Sequence, residues 1–265
     1  MHRESGTRAR VIAVTSGKGG VGKTNIAVSL SIALANLGER VILMDMDMGL
    51  ANIDVILNLR VTDNLADVLA GRKRIDEIMI ETPYGIGVVP GASGDEHLAN
   101  LSEDEQLQLR DALYFLSGAA DYLIIDTGAG ISRNTTMFTG SADEVLVVAT
   151  PEPTSMVDAY AAIKTVHGMA PEADIHLLLN MARSKQDAER ATRRISHIAL
   201  NFIHSRLQND GYILFDGVVS DAVRKKTPIH HGISEQRGGT RRTPHRQDLE
   251  QPPVTPRRAE ARANR

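Results

Sequence analysis

A glycine-rich segment between an apolar run and a helix-like stretch constrains the fold of this chain most strongly. The run that begins at Val11 leads directly into Gly17–Thr24, which reads GKGGVGKT and has the form G-x-x-x-x-G-K-[ST]. The glycines let the backbone curl with its N–H groups pointing inward, and a helix starting near Lys23 turns its positive end to the same point. The segment is therefore predicted to cradle the phosphates of a nucleotide.

Individual side chains in this loop have separate predicted tasks. Lys23 supplies a point charge to the β- and γ-phosphates, and the Thr24 hydroxyl ligates Mg²⁺. The competing interpretation is a glycine-rich turn with an incidental lysine, which does not account for a full match placed after a strand. The predicted nucleotide-contacting residues of the loop are Gly17, Lys18, Gly19, Gly20, Val21, Gly22, Lys23, Thr24 and Asn25.

Short apolar runs alternate with longer helical patterns along the chain. Runs of this length, rich in Val, Ile and Leu, are typical of parallel strands buried on both faces. The predicted strands are Val11–Val14, Val41–Met44, Ile86–Val89, Tyr122–Ile125, Val145–Ala149, Ile175–Leu179 and Tyr212–Phe215. The predicted helices are Asn25–Leu37, Ser102–Leu116, Ser155–His167 and Asp187–Leu207. We therefore predict an α/β P-loop NTPase fold, with a mostly parallel sheet of about seven to eight strands and helices on both faces.

Capping residues mark several of the predicted helix ends. Ser102 and Glu105 have the spacing of a capping box. Gly38 and Gly118 stand where a glycine is expected just beyond a helix.

Composition limits the chemistry that the chain can perform. With no cysteine among 265 residues, disulfides, thiolate catalysis and Cys-ligated zinc or iron–sulfur clusters are excluded. A formal net charge of −3 argues against a strongly basic nucleic-acid binder, so nucleic acid is not an expected partner. Neither a long apolar run nor a signal region is visible, so a cytoplasmic location is expected, with peripheral attachment to the inner face of the membrane left open.

The chain is predicted to have three parts. Residues 1–8 form a short polar extension, and residues 9–233 form the P-loop domain. Residues 234–265 are rich in Arg and Pro with almost no apolar periodicity, so they are expected to be disordered.

Polar residues that follow three of the predicted strands complete the predicted site, because ligands of α/β sheets lie beyond the carboxyl ends of the strands. Asp45 and Asp47 follow the second strand, and the alternative for this pair is a helix cap plus a solvated acid. Asp126 ends an apolar strand in the Walker B form, which binds Mg²⁺ directly or through water, and otherwise it caps the strand. Asn180 can offer an amide to adenine or simply belong to a turn. No N-K-x-D segment occurs, so ATP is favoured over GTP.

The loop resembles the deviant Walker A motif of the MinD/ParA ATPases, in which a lysine follows the first glycine. The resemblance implies that Lys18 reaches across an ATP-dependent homodimer to the phosphates of the other subunit. It also implies that Asp47 orients or activates the attacking water and that Asp45 acts nearer the metal, through water. Asn180 occupies the position of the adenine-contacting asparagine. The predicted catalytic residues are Lys18, Asp47 and Lys23, and the predicted metal-binding residues are Thr24, Asp45 and Asp126.

Further segments are similar to the FlhG/FleN branch of this group, whose members are MinD-like ATPases that regulate flagellar number and placement. These segments are Met48–Asp54, Leu65–Leu69, Val88–Ser93 and Thr150–Tyr160, and the resemblance covers roughly residues 9 to 226. The expected activity is a slow, partner-stimulated hydrolysis of ATP that drives a dimerisation switch. Expected partners are the flagellar GTPase FlhF, a flagellar transcriptional regulator or basal-body switch proteins.

Two departures from the family pattern keep alternatives open. The N-terminus lacks the glutamine-containing arm with which some members stimulate FlhF, which puts that partner in doubt. After Lys226 the sequence does not continue into the amphipathic membrane-binding helix of the family. The alternatives are a MinD-type ATPase for division-site selection and a ParA-type ATPase for DNA partitioning, with the latter requiring a basic surface around Arg224, Lys225 and Lys226.

Overall fold

A computed structural model of the chain describes residues 8–47, 51–92, 101–203, 207–217 and 219. The strands are β1 (Arg10–Ser16), β2 (Val41–Met46), β3 (Ile80–Glu81), β4 (Ile86–Val89), β5 (Tyr122–Ala129), β6 (Glu144–Ala149), β7 (Asp174–Ala182) and β8 (Gln208–Leu214). The helices are α1 (Lys23–Asn36), α2 (Ile53–Leu57), α3 (Leu65–Leu69), α4 (Glu103–Ala119), α5 (Arg133–Gly140), α6 (Pro153–Met169) and α7 (Lys185–Ile203). The predicted tail and residues 1–7 of the predicted extension lie outside the described residues.

The strands form one eight-stranded sheet in the order β3-β4-β2-β5-β1-β6-β7-β8. Every neighbouring pair is parallel except β3 and β4, which are antiparallel. The mostly parallel sheet predicted from the apolar runs is confirmed. Because β1 lies between β5 and β6, the loops that follow these three strands meet at one edge of the sheet, where α/β proteins place their ligands.

Helices cover both faces of the sheet, as predicted. Alternate side chains of β1 point to opposite faces: Val11 packs in the core that contains α4, and Ile12 packs in the core that contains α1. The third core lies between β6, β7 and the helices α6 and α7. The sequences of the strands are therefore nearly continuous apolar runs, because both sides of each strand are buried.

The structure corrects two predicted helix boundaries. Gly118 lies inside α4, which continues to Ala119, so it is not the residue beyond the helix end. The last helix begins at Lys185 and ends at Ile203, so its predicted end at Leu207 is too late, because Leu207 packs with the core formed by β6 and β7 instead. The prediction at the end of α1 is confirmed, since Gly38 follows the C-cap Leu37 with a φ of 94°.

The pattern of apolar residues also misses short elements. The antiparallel edge strand β3 has 2 residues, which is too short to produce a periodic signal. The capping box of Ser102 and Glu105 is confirmed at the start of α4. In the described part of the chain, no helix is both long and apolar enough to cross a membrane.

Candidate nucleotide-binding site

The glycine-rich loop joins β1 to α1 at the carboxyl edge of the sheet. Gly22 is the N-cap of α1 and has a φ of 92°, a left-handed conformation that a residue with a Cβ adopts only with strain. Its lack of a side chain leaves the first N–H groups of the helix without a side-chain cap, and the first turn of α1 carries no acid. The exposed N–H groups and the helix dipole therefore favour an anion at this point.

Gly17 is required by packing. A Cβ at this position would lie 2.0 Å from the carbonyl oxygen of Asp158 on α6, which is closer than any non-bonded contact. The loop can therefore rest against α6 only because residue 17 has no side chain.

Asp126 is a buried carboxyl group at the base of the loop. It is 1% exposed, and neither of its oxygens has a hydrogen-bond partner in the described structure. Burial, followed by the charge of Asp45, raises the pKa of Asp126 to about 7. The Thr24 hydroxyl and the Lys23 ammonium act in the opposite direction, although Thr24 does not reach hydrogen-bonding geometry. Buried carboxylate oxygens without partners are rare in proteins and indicate a site built for a cation.

The residues around Asp126 fit Mg²⁺. This ion is usually bound by one or two carboxylates, together with phosphate oxygens and water, rather than by a protein cage. In keeping with that mode, the described residues contain no group of three or more His, Cys, Asp or Glu side chains placed to hold a metal. Asp126 and the Thr24 hydroxyl, at the foot of the phosphate loop, are the residues that would hold the ion.

Asp45 lies beside Asp126, because the two residues pair in register across β2 and β5. Its oxygens accept hydrogen bonds from the backbone N–H groups of Asp47, Asn52 and Ile53 at 3.1, 2.9 and 3.1 Å. Burial raises the pKa of Asp45 to about 6, while these hydrogen bonds lower it. The geometry therefore gives Asp45 the role of bracing the start of α2, which was its alternative interpretation, and its role at the metal stays a prediction.

Asp47 lies next to the last residues of β5, which lead into a loop. One of its carboxylate oxygens is 3.6 Å from the position that a Cβ of Gly128 would occupy. The loop is tied to the phosphate-binding segment by a hydrogen bond from the Gly130 N–H to the carbonyl of Ser16, at 2.8 Å. The described structure thus brings the ends of β1, β2 and β5 together around Asp47.

Lys18 makes its contacts within its own chain. Its Nζ donates to Glu152 Oε2 at 3.0 Å and to Thr154 Oγ1 at 3.1 Å, both at the start of α6. The ion pair is accessible to solvent, with 40% of the Lys18 side chain and 67% of the Glu152 side chain exposed. Thr154 is a site residue that the sequence reasoning missed, although its position after the neighbouring strand β6 was a usable signal.

Asn180 sits directly behind the glycine-rich loop. Its Nδ2 donates to the carbonyl of Val21 at 2.8 Å, and its Oδ1 accepts from the backbone N–H of Met181 at 2.9 Å. Met181 has a φ of 57°, so the chain turns sharply there. The side chain supports the loop and marks a turn, and its predicted contact with adenine stays a prediction.

A groove of about 740 Å³ opens beside Asn180, between the ends of β6 and β7 and the start of α7. Its lining combines apolar, basic and acidic side chains. The lining residues are Thr150, Pro151, Glu152, Pro153, Met181, Arg183, Ser184, Asp187, Arg190 and Phe215.

Known proteins are similar to this chain in sequence and in fold. A family model described as an AAA domain matches residues 9–178. The antiactivator FleN of Pseudomonas aeruginosa is 41% identical over 227 residues, which is 84% of this chain and 80% of that protein. The flagellum site-determining protein YlxH of Helicobacter pylori is 39% identical and covers 74% of this chain and 66% of its own length.

Among solved structures, septum site-determining protein MinD of Pyrococcus horikoshii, complexed with Mg-ADP, is similar to this chain with a TM-score of 0.70. The two are 26% identical, and the match covers 83% of this chain and 87% of that one. The deviant loop and the mostly parallel sheet agree with these matches. The chain therefore belongs to the MinD/ParA family of P-loop ATPases, within the branch that contains FleN and FlhG.

Proposed function

We propose that this protein is an ATP-dependent dimerisation switch that regulates the number or placement of flagella. The observation that carries the nucleotide part is Asp126, a buried carboxyl group whose oxygens have no partner in the described structure, beside Lys23 and Thr24 under the phosphate loop. The flagellar part is supported by similarity to an antiactivator and to a flagellum site-determining protein.

Each site residue has a proposed task in ATP hydrolysis. Lys23 and the loop N–H groups bind the phosphates. Asp126 and Thr24 hold Mg²⁺, which supplies positive charge to the β- and γ-phosphate oxygens. Asp47 orients the water that attacks the γ-phosphate, consistent with its place beside the end of β5.

Dimerisation completes the site through Lys18. In the single chain this ammonium group is bound to Glu152 and Thr154, so it must exchange these partners for phosphate oxygens before it can act on another subunit. Slow turnover in the absence of a partner follows from this competition. The partners proposed are a flagellar transcriptional regulator, basal-body switch proteins or the GTPase FlhF.

Adenine binding is proposed for the groove beside Asn180. One Nδ2 hydrogen of this amide is bound to Val21, which leaves the second hydrogen and a lone pair of Oδ1 available to a base. Phe215, which lines the groove and is 63% exposed, offers a flat apolar surface for the ring.

Binding of a fluorescent ATP analogue, with Mg²⁺ or with a chelator, tests the proposal. The wild type is expected to bind more tightly with Mg²⁺, and Lys23→Ala is expected to lose binding. Lys164→Ala, which removes an exposed lysine of α6, is the matched control. A well-folded wild type with no measurable affinity for ATP and Mg²⁺ would overturn the nucleotide switch.

The role of Lys18 is tested by sedimentation with ATP. Lys18→Ala is expected to bind ATP as a monomer. Glu152→Gln weakens the competing contact in both subunits of a dimer. Since an exposed ion pair contributes about 0.2–1 kcal/mol, dimerisation should shift to concentrations about 2- to 30-fold lower. Glu172→Gln removes an exposed acid elsewhere and should change nothing. Unchanged ATP-dependent dimerisation of Lys18→Ala would contradict the cross-subunit role.

Septum-site selection is the competing function, because MinD shares this fold. The ParA-type alternative depends on Arg224, Lys225 and Lys226, and these residues lie outside the described structure. Residues 234–265 also lie outside the described structure, so their role and attachment to the membrane stay predictions. A pull-down with the ATP-bound dimer distinguishes the functions: flagellar regulator or basal-body proteins support the proposal, and division-site or centromere-binding proteins contradict it.

A further inference from the structure

Helix α4 carries an exposed surface that the nucleotide switch does not use. Its inner face is buried through Leu109, Leu113 and Leu116, as expected for a helix packed on a sheet. Its outer face exposes 47% of Leu107 and 75% of Tyr114. Large apolar and aromatic side chains on an accessible helix face are typical of protein–protein contacts.

The exposed residues form one strip along the helix. Leu107, Arg110, Asp111 and Tyr114 have the spacing i, i+3, i+4, i+7, which places them on the same side of α4. Both central residues are accessible, with 64% of the Arg110 side chain and 80% of the Asp111 side chain exposed. Within one chain their ion pair is weak, since the closest atoms are 3.9 Å apart.

This strip is complementary to itself when reversed. If two copies of α4 pack antiparallel about a two-fold axis between residues 110 and 111, then Arg110 faces Asp111 of the second copy, and the reverse pair forms by symmetry. The same operation places Leu107 against Tyr114 of the second copy. Every charged residue at the centre meets its opposite, and each aliphatic side chain meets an aromatic ring.

We propose that α4 is a second, nucleotide-independent self-association surface, and that its occupant is another copy of this chain in an antiparallel helix pair. The charge complementarity of the reversed strip selects a second copy over an unrelated partner. The proposal does not depend on the ATP switch, because none of these residues belongs to the site around Lys23.

The position of α4 keeps this surface away from the phosphate loop. The end of α4 lies by the start of β1, since the Ala9 N–H donates to the carbonyl of Ser117 at 2.7 Å. The phosphate loop follows the other end of β1, about 20 Å away for a strand of this length. A groove of about 340 Å³ next to Tyr114, bordered by Arg8 and Ser141, leaves room for side chains of a second copy.

The association is expected to be weak. An α-helix of 17 residues is about 25 Å long, and one helix pair buries less than the roughly 800 Å² per partner of a standard interface. We therefore expect dissociation constants between about 10 µM and 1 mM.

Charge reversal combined with mixing tests the proposal. The parent protein is Lys18→Ala with wild-type α4, studied by sedimentation equilibrium without nucleotide. Its average mass should rise above the monomer mass of 28.8 kDa as the protein concentration increases. Arg110→Asp and Asp111→Arg should each remain monomeric. Their equimolar mixture should associate again, because each chain then supplies the opposite charge, and the double variant Arg110→Asp/Asp111→Arg should associate with itself.

The mixture distinguishes the proposed interface from a folding defect, since neither misfolding nor general charge effects restore association. Arg193→Asp, an equally exposed reversal on α7, should associate as the parent does. The proposal is wrong if the parent stays monomeric up to about 1 mM, if either single variant associates like the parent, or if mixing restores nothing. None of these outcomes bears on ATP binding, so the two proposals fail independently.

Discussion

Asp126 combines burial, a raised pKa and carboxylate oxygens without hydrogen-bond partners in the described structure. An ionised carboxylate without hydrogen bonds in the interior is unfavourable until a cation compensates for it. The neighbouring Asp45 offsets part of this cost by accepting hydrogen bonds from three backbone N–H groups, although burial still raises its pKa to about 6. Two adjacent acids in register thus have different surroundings: Asp45 is bound to backbone N–H groups, and Asp126 is the one proposed to hold the metal.

Replacing Asp126 should increase the stability of the fold while weakening the binding of ATP with Mg²⁺. The folded-state pKa of about 7 is raised above that of the unfolded chain, so the stability that the protonated carboxyl contributes is lost as the pH rises through 7. At pH 8, without nucleotide or metal, Asp126→Asn should be more stable than the wild type by on the order of 1–3 kcal/mol. Chemical denaturation measures this difference, which should shrink as the pH is lowered toward 4.

The same variant should lose the increase in ATP affinity that Mg²⁺ provides. Asp143→Asn is unsuitable as a control because that side chain accepts a hydrogen bond from Val11. Asp104→Asn, an exposed acid of α4, is the better comparison. An Asp126→Asn protein with wild-type Mg²⁺ dependence would contradict the metal assignment.

At the scale of elements, the loop and α6 form one packed unit. Gly17→Ala would bring a methyl group to 2.0 Å from the Asp158 carbonyl oxygen, so the loop and the helix must separate. Overpacking of this kind costs about 1–3 kcal/mol, and the displaced loop should also lose nucleotide affinity. Gly19→Ala is the matched control for stability, because nothing lies within 4 Å of the added carbon. Equal unfolding midpoints for the two variants would contradict the close packing.

The strands at the other end of the sheet are joined by His176 of β7. Its Nδ1 lies 2.9 Å from Asp210 on β8, and its Nε2 lies 3.6 Å from Glu144 on β6. The hydrogen bond with Asp210 raises the pKa of His176 above its usual range, with smaller contributions from the charges of Glu144 and Asp174, while burial opposes the increase.

Stability should therefore depend on pH through this histidine. Because the folded-state pKa is raised, the stabilisation is fully present below the unfolded pKa of about 6.5 and is lost as the pH rises through the folded-state value. His176→Asn should be less stable than the wild type at pH 5.5, and the two should converge at alkaline pH. His197→Asn, which changes an exposed histidine, should follow the wild type throughout. A pH-independent difference for His176→Asn would refute this role.

At the scale of the whole molecule, the proposed switch couples ATP hydrolysis to dimerisation. Asp47→Ala should bind ATP but hydrolyse it about 10²- to 10⁴-fold more slowly, because the attacking water loses its base or orienting group. The ATP-bound dimer should then accumulate, which sedimentation and phosphate release measure together. Asp54→Ala removes a nearby carboxylate of α2 and should retain turnover. Normal hydrolysis by Asp47→Ala would show that another group positions the water.

What the sequence determined by itself is the local part of the site. The strand β1, the phosphate loop and α1 are contiguous, so their geometry follows from neighbouring residues, and Gly17–Thr24 could be interpreted without the fold. Buried parallel strands leave an equally direct signal, because both faces must be apolar. The apolar run that leads into Asp126 was identifiable for the same reason.

Only the tertiary structure decided which distant residues meet. Lys18 contacts Glu152, which is 134 residues away, and Asn180 contacts Val21, which is 159 residues away. These contacts exist because β6 and β7 follow β1 in the sheet, an order set by the packing of helices on both faces rather than by any local motif. The different surroundings of Asp45 and Asp126 have the same origin, since both acids directly follow apolar runs and only the backbone around each decides whether its oxygens already accept hydrogen bonds.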